Sequence, residues 1–326
     1  MFADDLILKI SDAWLRATNG RLVELYRHSN GRRPSIAYPV RYSDQMIWRK
    51  TVDFNPEFVV FSDKLACKDH VRRICPDLPQ AATLWAGTDA RQIPDELLRR
   101  DVFIKANHGS TFNHRTYGEP CDRSALEKMT SGWLNTLYGE GSGEWPYFYV
   151  DRKIFVEELI GRKGTELLDF GIRASNGRVI LGYVIGKAKT PEQWHFYLDP
   201  EGKSTWSFTD VEGGGFNPIR PELNILEPYM RAVEYAQRLS QGMDFARYDF
   251  FWDGETLYGG EITLFPAGGV LDPLHPHIAA VVLDGWDLRQ SHFLKTRQTG
   301  LKRIYAGALR RRLERDRIAR ENIHCP

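Results

Sequence analysis

Arg247, Asp249, Glu261 and Thr263 lie in the stretch ARYDFFWDGETLYGGEIT, residues 246 to 263. Side chains alternate between the two faces of a β-strand. Arg247 and Asp249 therefore share one face of a first strand, and Glu261 and Thr263 one face of a second. A turn at WDGE would pair the strands and bring the two carboxylates close. Like charges placed opposite each other are destabilising unless something neutralises them. A Mg²⁺ ion does so, because hard cations take carboxylate oxygens together with substrate phosphates. Arg247 would stand beside them as a fixed cation for phosphate oxygens. The competing reading is an edge hairpin whose polar face meets water, as antiparallel sheets commonly do. The hairpin alone does not choose between them.

Two further segments carry candidate chemistry. VFIKANHGST places Lys105 at the end of an apolar strand, followed by a polar loop in which Gly109 allows backbone amides close to an anion. No GxxxxGK[ST] phosphate loop occurs in the chain. A lysine snorkelling from a strand end into water is the alternative. In IFVEELIG an apolar run meets Glu157 and Glu158. A strand-to-linker segment of this kind offers backbone groups to an adenine edge and a carboxylate to ribose hydroxyls. A strand that ends in two solvated acids is an equal reading.

The elements that must position these residues follow from periodicity. Residues 5 to 27 read as one helix with Leu6, Ile10, Trp14 and Leu15 on one face. Ser62 reads as the N-cap of a helix over DKLACKDHVRRI. AATLWAG and Val102 to Lys105 read as strands, and DRSALEKMTSGWLNTLY as an amphipathic helix. From Lys153 the pattern turns β-rich, with a hairpin turn at SNG, 175 to 177. Residues 206 to 221 read as a loop. LNILEPYMRAVEYAQRLSQG reads as a helix with Met230, Val233, Ala236 and Leu239 inward and Gly242 as its stop. Helices follow. This order gives an α+β chain in several subdomains.

Bulk properties exclude little beyond this. The chain has 326 residues, 42% hydrophobic and 27% charged, with a net charge of +1, so overall charge points to neither nucleic acid nor membrane. Basic residues crowd Lys295 to Arg320 against only Glu314 and Asp316. That tail reads as a solvated amphipathic helix, with docking on an anionic membrane or polymer as the alternative. Cys67, Cys75, Cys121 and Cys325 form no CxxC pair, and the acidic N-terminus lacks a signal-peptide pattern. Both features suit a cytoplasmic protein. His275 and His277 read as structural or surface residues rather than a metal pair, and EWPYFYV as packing, with Trp145 or Tyr147 as alternative acceptor-site linings.

The order of the pieces resembles the ATP-grasp superfamily, and more narrowly its TupA-like family, associated with teichuronopeptide and polysaccharide biosynthesis. The matching stretches run from Ser62 to Pro266: SDKLACKDHVR, FIKANHGS, VEELIG, LDFGIRASNG, then RYD and GEIT. The resemblance implies an ATP-grasp fold, two α+β subdomains clasping ATP, with a helical N-terminal region over 1–80. Subdomain A would cover 81–156, subdomain B 157–290, and a basic helical tail 291–326. It implies Lys64 and Lys105 on phosphates, covered by the loop His108, Gly109 and Ser110. Glu157, Glu158 and Ile160 would border the adenosine. Asp249 and Glu261 would hold Mg²⁺, with Thr263 at the position of a third ligand. Arg247 would stabilise the transferring phosphoryl group. The activity implied is an ADP-forming ligase that joins a carboxylate to an amine, both small-molecule or polymer substrates. Three departures stand out: Thr111 replaces a loop glycine, Gly171 replaces a lysine for which Arg173 or Lys187 would compensate, and Thr263, though it matches the narrower family, is a weaker metal ligand than the Asn of many ATP-grasp enzymes. A glycosyltransferase is a rival reading, although no DxD motif occurs. An ATP-grasp kinase acting on a hydroxyl is another.

Overall fold

The computed structural model describes residues 2–119, 121–161, 166–188, 190–207, 224–272 and 276–324. Most of the expected loop at 206–221, with His275 and Cys325, lies outside them. The chain opens with α1 (Phe2–Thr18), α2 (Gly20–Asn30), α3 (Tyr42–Thr51), α4 (Glu57–Ser62) and α5 (Lys64–Ile74). The expected single helix over 5–27 is thus two, broken at Asn19, and α2 stops on the left-handed Gly31. Ser62 ends α4. The N-cap of α5 is Asp63, whose carboxylate accepts from the Leu65 and Ala66 N–H groups at 2.9 and 3.3 Å.

Next come β1 (Thr83–Gly87), α6 (Asp95–Leu98), β2 (Val102–Ala106), β3 (Asn113–Arg115), α7 (Arg123–Asn135) and β4 (Ile154–Glu158). These strands form an antiparallel sheet in the order β1-β4-β2-β3. Val102, Ile104, Ile154 and Val156 on one face bury against Leu97, Leu98 and Leu126. The sequence-based boundary at 156/157 falls inside β4, which belongs whole to this sheet.

The second sheet holds β5 (Leu168–Ser175), β6 (Arg178–Gly186), β7 (Trp194–Leu198) and β8 (Ser204–Ser207). After α8 (Leu226–Leu239) come its last strands, β9 (Ala246–Trp252) and β10 (Leu257–Thr263). It is antiparallel, in the order β10-β9-β5-β6-β7-β8. Its turn at Asn176–Gly177 uses positive φ at both residues, the hairpin geometry that the SNG signal predicts. On one face Phe170 and Phe250 pack against Tyr229 and Tyr235 of α8. The opposite face carries Arg173, Arg247 and Asp249. The fold is therefore α+β, with two antiparallel sheets, and α5 lies against β10 between them.

The chain closes with α9 (Pro276–Gly285), α10 (His292–Lys295) and α11 (Gly300–His324). α11 packs on α1, where Asp4 receives Arg311 and Arg315. Arg312 pairs with Asp5 and Asp316, and Arg317 with Glu314. Much of the tail's positive charge thus meets carboxylates. α1 buries Leu8 and Leu15, and the face with Leu6, Ile10 and Trp14 is exposed. Arg49 and Asp244 form a fully buried ion pair of 2.8 Å, tying α3 to the start of β9. Among the described residues no helix is long and apolar enough to cross a membrane.

Candidate active site

The helix α5 projects two lysines, one turn apart, into the space between the sheets. Lys64 donates to the Gly109 carbonyl and faces Glu261 of β10 at 3.5 Å. Lys68 pairs with Glu157 of β4, whose other oxygen takes Lys105 of β2 at 2.6 Å. Glu157 is buried, so these two ammonium groups are its compensation.

On the large sheet, Arg247 and Asp249 meet as the alternation predicts. Arg247 donates to both oxygens of Asp249, at 2.6 and 2.7 Å, and to Thr263 Oγ1 at 3.1 Å. Thr263 in turn donates to Asp249 at 2.9 Å. The ladder slips between Gly259 and Ile262, so Gly260 and Glu261 together oppose Asp249. A bulge of this kind re-aims a side chain. It turns Glu261 away from Asp249 and towards Lys64. The expected clash of two carboxylates is thus resolved by cations of the chain itself.

Electrostatics agree with this picture. Partial desolvation in the cleft opposes ionisation of Glu261. The charges of Lys64, Lys105 and Arg247 outweigh it and hold the carboxyl below its ordinary range. Lys64, Lys68, Lys105 and Arg247 are four cations against three carboxylates, Glu157, Asp249 and Glu261. The surplus is positive and suits a phosphate chain. The donor set fits magnesium in a limited way. Glu261 is exposed and can turn onto a cation, whereas both Asp249 oxygens are occupied until Arg247 moves to an anion. Among the described residues no cluster of three or more His, Cys, Asp or Glu side chains makes a ready metal cage.

Other expected residues fall outside the cluster. Glu158, next in β4, points to the opposite side and pairs with Arg100 at 2.9 Å. Ile160, just past β4, is half-buried. His108 is buried, with Nε2 at 3.1 Å from the Trp133 carbonyl oxygen, facing α7. Burial, with help from the Arg152 charge, lowers its pKa. Ser110 bonds the Tyr138 hydroxyl at 2.6 Å. Gly109 has φ +74°, and a Cβ there would meet the Tyr138 ring at 2.7 Å. Thr111 is itself left-handed, φ 68°, so a residue with a Cβ carries a backbone that a glycine would adopt freely. Lys187 pairs with Glu192, while Arg173 stands directly opposite Arg247 in the ladder.

Two members were not found from sequence. Lys68 had a signal, its i, i+4 spacing from Lys64. Tyr183, whose ring lies 5.9 Å from the Arg247 guanidinium, had none beyond strand alternation.

No family model matches the chain, and no curated protein matches it in sequence. Among solved structures it is similar to the D-alanine–D-alanine ligase of Bacillus anthracis, at 15% identity and TM-score 0.41, covering 70% of this chain and 66% of that one. It is similar to the L-amino acid ligase of Bacillus licheniformis at 14% identity and TM-score 0.39, covering 64% and 44%. For biotin carboxylase of Campylobacter jejuni the figures are 13%, 0.36, 70% and 47%. The chain thus spans less than two thirds of the length of these proteins, or barely that. Likenesses this distant leave the functional reading to the cleft.

Proposed function

We propose that the cleft binds ATP and that the protein is an ATP-grasp ligase of the ADP-forming, carboxylate–amine type. The observation that carries this reading is the meeting of Lys64, Lys68 and Lys105 with Arg247 and Glu261 across the gap between the two sheets. A carboxylate oxygen of the first substrate attacks the γ-phosphorus. The bond from that phosphorus to the β–γ bridging oxygen breaks, and ADP leaves with the electron pair. The amine nitrogen of the second substrate then attacks the acyl carbon. The C–N bond forms, the acyl C–O bond breaks, inorganic phosphate leaves, and the ammonium proton passes to solvent.

In this mechanism Lys64 exchanges its Gly109 carbonyl for phosphate oxygens, and Lys105 shares its ammonium between Glu157 and phosphate. Arg247 turns from Asp249 towards the transferring group, where a guanidinium offsets developing charge. The loop at Gly109 and Ser110 excludes water from the acylphosphate. Magnesium carried in on the phosphates would be held by Glu261, and by Asp249 once Arg247 leaves it; it would supply further charge neutralisation. Polysaccharide or peptide-conjugate biosynthesis is the setting that the sequence resemblance implies.

The test is phosphate release from ATP across a panel of carboxylates and amines, with hydroxylamine present in a parallel series. Release that needs both substrates, with a hydroxamate trapped from the acid, is expected. Phosphate transfer to a hydroxyl without a trapped acyl group would indicate the kinase. UDP-sugar turnover without ATP would indicate the glycosyltransferase.

A further inference from the structure

One strand inward from Arg247, on the same face of the large sheet, stands a second arginine with a different environment. Arg173 of β5 and Arg247 of β9 are direct partners in the ladder. Arg247 is neutralised by Asp249. Arg173 is 8% exposed, and its Nε and Nη1 have no hydrogen-bond partner among the described residues. It is not in an ion pair among them either. Aromatic rings wall it in. Its guanidinium lies 5.3 Å from the Tyr183 ring and 5.8 Å from the Tyr197 ring. His195 closes the group, with its ring 4.9 Å from Tyr183 and 5.1 Å from Tyr197. Gly171 makes the arrangement sterically feasible, because Tyr183 lies across the position that a Cβ would fill.

A buried guanidinium without a counter-ion is costly, and ring faces return only part of that cost. Such a group is retained where an anion arrives to complete it. The phosphate-suited cluster spans the β10 side, around Lys64, Glu261 and Arg247. Arg173 lies on the other side of Arg247, so the anion it awaits is a separate one. Building on the ligase reading above, we propose that Arg173 binds a non-reacting oxyanion, carboxylate or phosphate, of the substrate that joins ATP in the cleft. The substrates are then acids or amines that carry an anionic group besides the one transformed. Tyr183, Tyr197 and His195 shape the walls of that subsite.

The test uses the full chain without nucleotide, so that it stands or falls separately from ATP binding. Thermal unfolding is followed with acetate, succinate or inorganic phosphate at matched ionic strength, for wild type, Arg173→Met and Arg173→Gln. Succinate or phosphate is expected to raise the wild-type Tm, and both variants are expected to lose that rise. A rise with succinate alone identifies a carboxylate; a rise with phosphate alone identifies a phosphate group. Without anion, Arg173→Met is expected to melt at the wild-type temperature or above, because an uncompensated charge has been removed. If Arg173→Met does not fold, Arg173→Gln decides. Equal anion shifts in wild type and the folded variants would overturn the proposal. So would the absence of any shift in wild type. Where turnover is established, Arg173→Gln is expected to raise KM for the acid or amine about tenfold or more and leave KM for ATP unchanged.

Discussion

Gly171 offers a quantitative check on how the cleft floor is built. A Cβ at this position would lie 2.1 Å from Cζ of Tyr183 and 2.4 Å from its Cε1 and Oη. Those separations are far inside van der Waals contact, so the ring must move. Tyr183 is 8% exposed, with His195 edge-on to it at 4.9 Å and Tyr197 at 6.2 Å. It has little room to retreat. Overpacking of this kind costs about 1–3 kcal/mol, and Gly171→Ala is expected to lose that much in urea unfolding. Tyr183→Ala removes the obstructing ring at its own cavity cost. In the double variant the added methyl meets no ring, so the two losses should fail to add, with a coupling of about 1–3 kcal/mol. Additivity within about 0.5 kcal/mol would refute the steric argument. Gly171→Lys should behave no better than Gly171→Ala in the presence of Tyr183.

Thr111→Gly should leave stability unchanged or raise it by up to about 1 kcal/mol, since relief of the left-handed backbone is partly offset by the freer unfolded chain; a loss above about 1 kcal/mol in chemical denaturation would contradict this. Asp244→Ala leaves the fully buried Arg49 without its carboxylate and should cost about 3–5 kcal/mol, with a loss under 1 kcal/mol counting against the pair's importance. Lys50 is buried, and desolvation, only partly opposed by Glu144, lowers its pKa to about 8 from 10.5. Between those values the unfolded chain binds more protons, so its contribution to stability should rise from about pH 8 to about pH 10.5, by up to ~3 kcal/mol. Lys50→Met should flatten that rise in unfolding curves taken across the window, and an unaltered slope would exclude Lys50 as its source.

The hairpin of β9 and β10 is legible in the sequence because period-two alternation and a DGE turn act locally. Its bulge is not, since a one-residue slip depends on backbone packing, although two consecutive glycines, Gly259 and Gly260, marked where it could occur. The bulge decides the chemistry, turning Glu261 to Lys64 and leaving Asp249 to Arg247. Lys64, Lys105 and Glu157 were each visible as isolated residues, but their joining needs three elements far apart in sequence. Glu158 is set apart from Glu157, because strand alternation sends neighbours to opposite faces. The α1 stripe of Leu6, Ile10 and Trp14 shows the same limit: helical period identifies a face, and only the partner, here α11 on the other side, decides whether it is buried.

Under the proposed function, Lys64 and Lys105 hold the phosphates of ATP in this cleft. Titration of the protein with ATP and magnesium, read by calorimetry, tests it most directly. Saturable binding by wild type, weakened about tenfold or more in both Lys64→Met and Lys105→Met with the fold intact by circular dichroism, is the expected result. No binding by wild type, or binding of equal strength in both variants, would contradict it.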